Sequence, residues 1–325
     1  ALAILSARAN PQLASAAMTA SSAGSVQKQL DYTRDHEREA DRVGISILES
    51  AGYDTHAMAS FFETMQKGTR YVEGSAPTFL RTHPITSERI ADVTARIANS
   101  KYRMVPYSPD FDLVRAKILA SSGIANQAVS LFQSNIQDRR YTSESAQHYG
   151  LAVAFLRVGN VDGATKELSW LRANAPSHPF FASLAANIEV ARDNPTQAAK
   201  AYQAGLAIYP GSRALIYGYA EHFLRTRQPQ EALQFLNEKQ SLYPADAYMY
   251  ELKSKAYAAL GKNLLSHQAQ GEAYVRRYNN PKALEQMDLA VKASDGDFYQ
   301  QSIVEARLKE LRALVDEPKK SGWFK

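Results

Sequence analysis

Small residues and prolines recur along the second half of the sequence at a fixed interval of 34 residues, and this repetition restricts the fold more than any other feature. Three separate ladders share the interval. They are formed by Ala152, Ala186 and Ala220, by Ala164, Ala198 and Ala232, and by Pro176, Pro210 and Pro244. A repeat of this length indicates an array of similar units, each of which buries its apolar face against the next.

A period of 34 residues is typical of tetratricopeptide (TPR) repeats, in which each unit is a helix, a turn and a second helix. Ala152 and Ala164 fall on the two helices of one unit, where small side chains let the helices approach closely. Larger residues such as Phe155 and Leu168 fill the remaining space. The prolines end the second helices because proline cannot continue a helix. We therefore predict an all-α protein in which residues 106–316 form a TPR-type α-solenoid.

The array is less regular at its two ends. Ala128 lies 36 residues before Ala164, so the first unit carries an insertion near Arg140. Residues 247–276 and 281–315 each have the pattern of a helix pair, but small residues no longer follow the ladder there. Terminal repeats differ in this way because they present a polar outer face to solvent. The pattern predicts four or five helix pairs.

Three further helices are predicted before the array, over residues 27–51, 55–66 and 86–98. Apolar residues recur at helical spacing in the first two. They are Ala40, Val43, Ile47 and Leu48 in the first helix, and Met58, Phe61, Phe62 and Met65 in the second. Pro106 and Pro109 interrupt the helical pattern, and Asp110 is expected to cap the next helix. These breaks place a domain boundary after residue 105.

Composition excludes several kinds of site and partner. The chain has no cysteine, so disulfides and thiolate metal sites are excluded. Its net charge is +5, but the basic residues are scattered and do not form the stripe typical of a nucleic-acid binder. We therefore expect no nucleic-acid partner, while the basic surface leaves peripheral association with an anionic membrane as an alternative. No apolar run reaches the roughly 18 residues of a membrane span.

The stretch from His36 to Asp41, which reads His-Glu-Arg-Glu-Ala-Asp, has the most potential for chemistry. Glu37 and Asp41 are four residues apart and share one face of a helix. That face offers one carboxylate to a metal, with a second carboxylate behind it. Charges at this spacing more often form a solvated helix face, so the spacing alone leaves both interpretations open.

The segment from Glu37 to Gly44 resembles the third-ligand motif of the HtpX-like membrane-associated zinc metalloproteases, a gluzincin family. His83-Pro84 followed by Arg89-Ile90 is similar to the His-Pro element of the same family. A TPR array after such a domain is the layout of periplasmic proteases that act on outer-membrane β-barrel proteins. The resemblance covers essentially the whole chain.

The resemblance implies a division into three parts. Residues 1–105 would be the C-terminal part of a zinc metalloprotease domain, residues 106–316 the TPR domain, and residues 317–325 a tail. The Ala- and Ser-rich residues 1–26 form either a helix that shields the cleft or a loop. The chain opens without Met or a basic leader, which is expected of a piece of a longer or processed chain.

The resemblance also implies roles for particular residues. Glu37 would be the third zinc ligand, and Asp41 would orient a ligand histidine through a hydrogen bond. His83 would lie near the open metal position, where it contacts substrate, stabilises an oxyanion or occupies the fourth coordination site. Arg89 would pair with Asp41 or with the loop before it.

The 325 residues contain no HExxH motif, which would supply two histidine ligands and the general base. The resemblance implies that the helix carrying this motif lies upstream of Ala1. No catalytic residue is therefore expected in this chain, and the chain alone is expected to be inactive and not to hold Zn²⁺.

The function implied is that of a periplasmic zinc-dependent endopeptidase and chaperone of a Gram-negative bacterium. Its TPR repeats would bind outer-membrane β-barrel proteins or their assembly machinery. The alternative is a non-catalytic TPR scaffold or chaperone. A third hypothesis, a cytosolic co-chaperone, does not account for Glu37, Asp41 and His83 in one segment.

Overall fold

The computed structural model describes residues 34–70 and 83–320 of the chain. The chain divides into two compact units, Ala1–Tyr107 and Ser108–Lys325. All regular secondary structure in the described residues is helical, which confirms the all-α fold class. None of the described helices is long and apolar enough to cross a membrane.

Three helices make up the described part of the first unit. They are α1 over residues 34–50, α2 over His56–Arg70 and α3 over Ser87–Ile97. Phe62, Val93 and Ile97 form their buried core. Gly52 ends α1 in the left-handed conformation, with φ at 82°, that glycine adopts without steric cost. The predicted covering segment, residues 1–26, lies outside the described residues.

The face that α1 turns inward differs from the predicted one. Ala40, Val43 and Ile47, which have the spacing of an apolar helix face, are exposed in the structure, and so is Phe61 of α2, which was predicted to be buried. Asp41 is buried instead, with 3% of its surface exposed. The charged face can turn inward because Arg89 of α3 pairs with this carboxylate, and a paired charge is buried at far lower cost than an isolated one.

The described part of the second unit contains six helix pairs, more than the four or five predicted. In chain order the pairs are α4 (Pro109–Ser121) with α5 (Ala125–Gln137), α6 (Glu144–Arg157) with α7 (Val161–Asn174), α8 (Pro179–Ala191) with α9 (Pro195–Ile208), α10 (Arg213–Arg225) with α11 (Pro229–Lys239), α12 (Ala247–Ala259) with α13 (Asn263–Val275), and α14 (Asn280–Lys292) with α15 (Phe298–Lys320). Helices neighbouring in sequence pack against each other throughout. The last helix continues to Lys320, past the predicted limit of the array at residue 316.

The alanine ladders lie where the helices of each pair come closest. All six ladder alanines are fully buried, at 0% exposure: Ala152, Ala164, Ala186, Ala198, Ala220 and Ala232. The second helices of the regular pairs end before the ladder prolines, as predicted. For example, α7 ends at Asn174, before Pro176, and α9 ends at Ile208, before Pro210.

The fifth pair continues the ladder with serine, which the sequence analysis missed. Ser254 and Ser266 lie 34 residues after Ala220 and Ala232. Ser254 Oγ donates to the Ser266 carbonyl at 2.8 Å, and Ser266 Oγ donates to the Ser254 carbonyl at 3.0 Å. The two hydroxyls thus satisfy each other across the close helix crossing, and a serine can replace an alanine at this position without an unpaired buried group.

The turns inside the helix pairs also repeat. Gly159, Asp193, Arg227 and Gly261 are spaced 34 residues apart, and each has a φ between 55° and 75°. Only glycine adopts this left-handed conformation without steric cost.

The start of the array differs from the prediction in one detail. The first helix begins at Pro109 with Ser108 at its N-cap, so Asp110 lies in the first turn and does not cap it. Asp110 Oδ1 contacts His178 Nε2 at 2.8 Å. His178 caps α8 by accepting a hydrogen bond from the Phe180 backbone N–H, so its ring is held at both nitrogens.

Candidate functional site

Glu37 and Asp41 face α3 from one side of α1, and one arginine of α3 contacts both. Arg89 binds Asp41 through two hydrogen bonds, from Nε to Oδ2 at 2.9 Å and from Nη2 to Oδ1 at 2.7 Å. Arg89 Nη1 lies 2.7 Å from Glu37 Oε2. The fork of the guanidinium matches a carboxylate in this two-bonded geometry, which fixes the direction of Arg89 as well as its distance.

The loop before α3 joins the same cluster. His83 Nδ1 is hydrogen-bonded to Glu37 Oε1. Arg89 Nη1 donates to the Pro84 carbonyl at 3.2 Å, which ties this loop to the ion pairs. The structure thus brings together the three residues that the sequence singled out, although they are separated by up to 46 residues in the chain.

Local sequence explains how Arg89 comes to point at α1. Thr86 is the N-cap of α3, and its hydroxyl accepts a hydrogen bond from the Arg89 backbone N–H at 3.2 Å. A capping threonine fixes the first turn of a helix and therefore the direction of the side chain three residues later. Phe62 of α2 lies beside the guanidinium, with its ring centroid 5.2 Å from Arg89 Cζ.

The cluster is buried at one end and open at the other. The Asp41 side chain is 5% exposed, while those of Arg89 and Glu37 are 14% and 16% exposed. His83 is 62% exposed, so this imidazole forms the solvent side of the cluster. Hydrogen bonds with Asp41 raise the pKa of Arg89 against the opposing effect of burial, and the charges of Asp41 and Glu37 raise it further.

The described residues do not complete a zinc site. They contain no group of three His, Cys, Asp or Glu side chains placed to hold a metal ion. Glu37 offers one carboxylate, whose two oxygens contact Arg89 and His83. This one carboxylate fits the single zinc ligand that the sequence implies for the segment. A zinc site with three protein ligands needs residues beyond those described.

Five further histidines have polar partners inside their own units. Their closest polar partners are Asp54 for His56, Glu167 for His148, Asp110 for His178, Arg225 for His222 and Gln286 for His267. Burial lowers the pKa of His222, and the charge of Arg225 lowers it further.

Comparisons with known proteins address the two units separately. Residues 1–97 match the model of peptidase family M48, and residues 189–256 match a tetratricopeptide repeat model. The beta-barrel assembly-enhancing protease of Escherichia coli (strain K12) is 29% identical over 317 residues, which cover 96% of this chain and 64% of that protein. The protein of the same name from Yersinia pestis is 26% identical over 319 residues, which cover 98% of this chain and 65% of that protein.

The chain thus spans less than two thirds of the length of these curated relatives. Among solved structures, a thermophilic TPR protein of Thermus thermophilus is similar with a TM-score of 0.40 at 15% identity, over 63% of this chain and 100% of that one. The family matches agree with the two units described above. Residues 1–97 are thus similar to peptidase family M48, and the second unit contains residues similar to tetratricopeptide repeats.

Proposed function

We propose that the full-length protein is a zinc-dependent endopeptidase of the Gram-negative periplasm that acts in the assembly and quality control of outer-membrane β-barrel proteins. Its TPR array would bind these client proteins or their assembly machinery. The observation that carries the proposal is the convergence of Glu37 and Asp41 on Arg89, with His83 hydrogen-bonded to Glu37. The M48 match and the name shared by the relatives support it.

In this proposal Glu37 supplies one zinc ligand, and the remaining ligands come from residues beyond those described. Zinc, when bound, activates a water molecule and polarises the scissile carbonyl. The contribution of this chain is to hold the carboxylate. Asp41 fixes Arg89, and Arg89 in turn positions both Glu37 and the backbone before α3. His83 faces solvent beside Glu37, where it can meet a substrate or a fourth metal position.

A non-catalytic scaffold or chaperone is the second candidate. It is favoured by the extent of the array. In a scaffold the cluster around Arg89 would be purely structural, because an arginine that neutralises two carboxylates holds α1 against α3 without any metal.

Zinc content and casein cleavage of the full-length protein, measured beside Glu37→Gln, distinguish the two candidates. If Glu37 is a ligand, the parent binds about one zinc and cleaves casein, whereas the variant loses both. Glu39→Gln is the matched control, because Glu39 lies on the same helix, is exposed and pairs only with Arg42 among the contacts seen here.

The control is expected to keep both zinc and activity. If Glu37→Gln keeps its zinc and still cleaves casein, Glu37 is not a zinc ligand, and the scaffold is favoured. Loss of both by Glu39→Gln as well would show that the assay reports general damage to α1 and would remove the support for Glu37.

A further inference from the structure

A groove runs between α7 and α9 over the third helix pair. One part of it is a cavity of about 280 Å³. The floor consists of small residues from α8 and α9, namely Ala182, Ala185, Ala201, Ala204 and Gly205. A second part, of about 460 Å³, continues along the same helices and shares Arg172, Ala185 and Ala201 with the first.

The equivalent space in the second helix pair is filled by large side chains. His148, Glu167 and Trp170 stand 34 residues before Ala182, Ala201 and Ala204. The His148 ring stacks on Trp170 with centroids 3.5 Å apart, and its Nδ1 lies 2.5 Å from Glu167 Oε2. In the second pair, these three side chains occupy the space that corresponds to the open groove of the third pair.

The fourth pair fills the space in another way. Tyr219 and Phe235 stand 34 residues after Ala185 and Ala201. Their rings meet edge to face with centroids 5.2 Å apart. Large side chains fill the equivalent positions in both the second and the fourth pair. The groove of the third pair is therefore a consequence of its own small residues and not of the repeat geometry.

Positive charge surrounds the groove. Arg172, Arg192 and Lys200 line it, against a single carboxylate, Glu189. Arg192 is paired with Glu189 at 2.8 Å. Among the described residues, Arg172 and Lys200 have no ion pair, so two cations at the rim are left for a partner.

We propose that this groove binds a partner polypeptide by taking up an apolar side chain that is flanked by acidic residues. The alanine floor gives apolar contact area, and the rim cations attract carboxylates and set the orientation of the partner. The proposal rests on the array being a protein-binding platform, as proposed above, and is independent of proteolysis. The last residues of this chain are a poor occupant, because they include Lys319, Lys320 and Lys325.

The probe for the test is an acetylated nine-residue peptide, Glu-Glu-Ser-Leu-Trp-Leu-Ser-Glu-Glu. It is titrated into the full chain with alanine methyl groups labelled for NMR, so that the floor residues themselves report binding. We expect shifts confined to the methyl groups of Ala182, Ala185, Ala201 and Ala204. A peptide with serine at the three apolar positions, or lysine at the four acidic ones, is expected not to shift them.

Ala185→Leu is the filling variant, because Leu151 occupies the same position in the second pair and the fold accommodates it there. It is expected to weaken peptide binding about tenfold or more, which corresponds to the loss of one buried anchor side chain. Arg172→Glu is expected to weaken binding by about fivefold and to reduce its dependence on salt. Ala191→Leu, on the exposed end of α8, is the matched control and should bind as the parent does.

Shifts elsewhere in the array, or binding unaffected by Ala185→Leu, would overturn the proposal. Equal binding of the lysine peptide would overturn it too, since the partner would then not be acidic. Casein cleavage by full-length protein carrying Ala185→Leu separates this proposal from the proposed function. If the variant still cleaves casein but no longer binds the peptide, both the endopeptidase proposal and the groove proposal are supported. If even the parent does not cleave casein, the endopeptidase proposal fails and the peptide-binding result for the groove still holds.

Discussion

The two units of this protein differ in what holds their helices together. In the first unit, one half-buried arginine connects two helices through two carboxylates, and the apolar core beside it is small. In the array, alanines at fixed intervals let helices pack closely, and no buried ion pair is needed at those crossings. Charge provides the specific contact between α1 and α3 of the first unit, and side-chain size provides it at the alanine crossings of the array.

Because of this difference, the two units are expected to tolerate different amino-acid substitutions. A cluster of charges depends on every member, because removal of one partner leaves another buried without compensation. A ladder of small residues distributes the same task over many positions, each of which tolerates any side chain of similar size. Functional groups are therefore more readily concentrated in the first kind of unit, and length is more readily varied in the second.

The largest effect is expected from Arg89→Ala. The change leaves Asp41 buried without its cation, and we expect α1 and α3 to lose about 3–5 kcal/mol of local stability. Hydrogen exchange of residues 34–50 and 87–97 measures this directly, with the array as internal reference. Arg38→Ala is the control, because Arg38 also links α1 to α3 through Glu88 but is exposed and should matter little. Unchanged protection in Arg89→Ala would contradict the central place given to this arginine.

A smaller effect is expected from Ala220→Leu in the array. Ala220 is fully buried at a helix crossing, so the larger side chain should cost about 1–3 kcal/mol through overpacking. The midpoint of urea unfolding reports the loss. Ala207→Leu, on the exposed side of α9, should leave the midpoint close to that of the parent. Equal effects of the two variants would mean that the ladder does not restrict side-chain size.

The serine pair of the fifth repeat tests whether polarity matters at the ladder. Ser266→Ala alone should cost about 1 kcal/mol, because it removes one hydrogen bond and leaves its partner group less satisfied. The double change to alanine at Ser254 and Ser266 should cost less than the sum of the single changes, since it restores the alanine pair of the other repeats. Additive losses in a double-mutant cycle of urea unfolding would show that the two hydroxyls act independently.

An effect of similar size, and the only gain, is expected from Arg227→Gly. Arg227 has a φ of 60° at the turn position where Gly159 and Gly261 stand in other repeats. Glycine relieves the strained backbone, so we expect a gain of about 1 kcal/mol. The reverse change, Gly159→Arg, should lose a similar amount although no atom lies within 4 Å of the added Cβ. A melting temperature lowered by Arg227→Gly would count against a strained turn.

Most of the array could be predicted from sequence because its restricted positions recur. Ala152, Ala186 and Ala220 must all be small for the same reason, and the two equal intervals between them show it. The serine pair was missed because a ladder defined by alanine does not include it. The helix crossing requires a small side chain, and serine meets this requirement when its hydroxyl is hydrogen-bonded. The groove of the third pair was missed for a different reason, since the absence of large side chains leaves no positive pattern.

The first unit was harder to predict from periodicity. Val43 and Ile47 have the spacing of a buried face, yet they are exposed, and Asp41 is buried. Hydrophobic periodicity cannot anticipate this, because the burial of Asp41 depends on Arg89, which lies 48 residues away in the chain. The residues of the cluster were found through their similarity to a family motif. Their roles at a metal remain predictions.

The apolar interior of the array is not continuous. One cluster of buried residues extends from Leu113 to Ile188, others follow around Tyr202 and Ile216, and a last one begins at Leu264. The first break lies at the alanine-lined third pair, the second within the fourth pair, and the last at the serine-paired fifth. Each stretch can therefore collapse around its own nucleus, and stretching the array between its ends should release it in steps and not all at once. A protein built this way could yield locally to a large partner while the rest of the array stays folded.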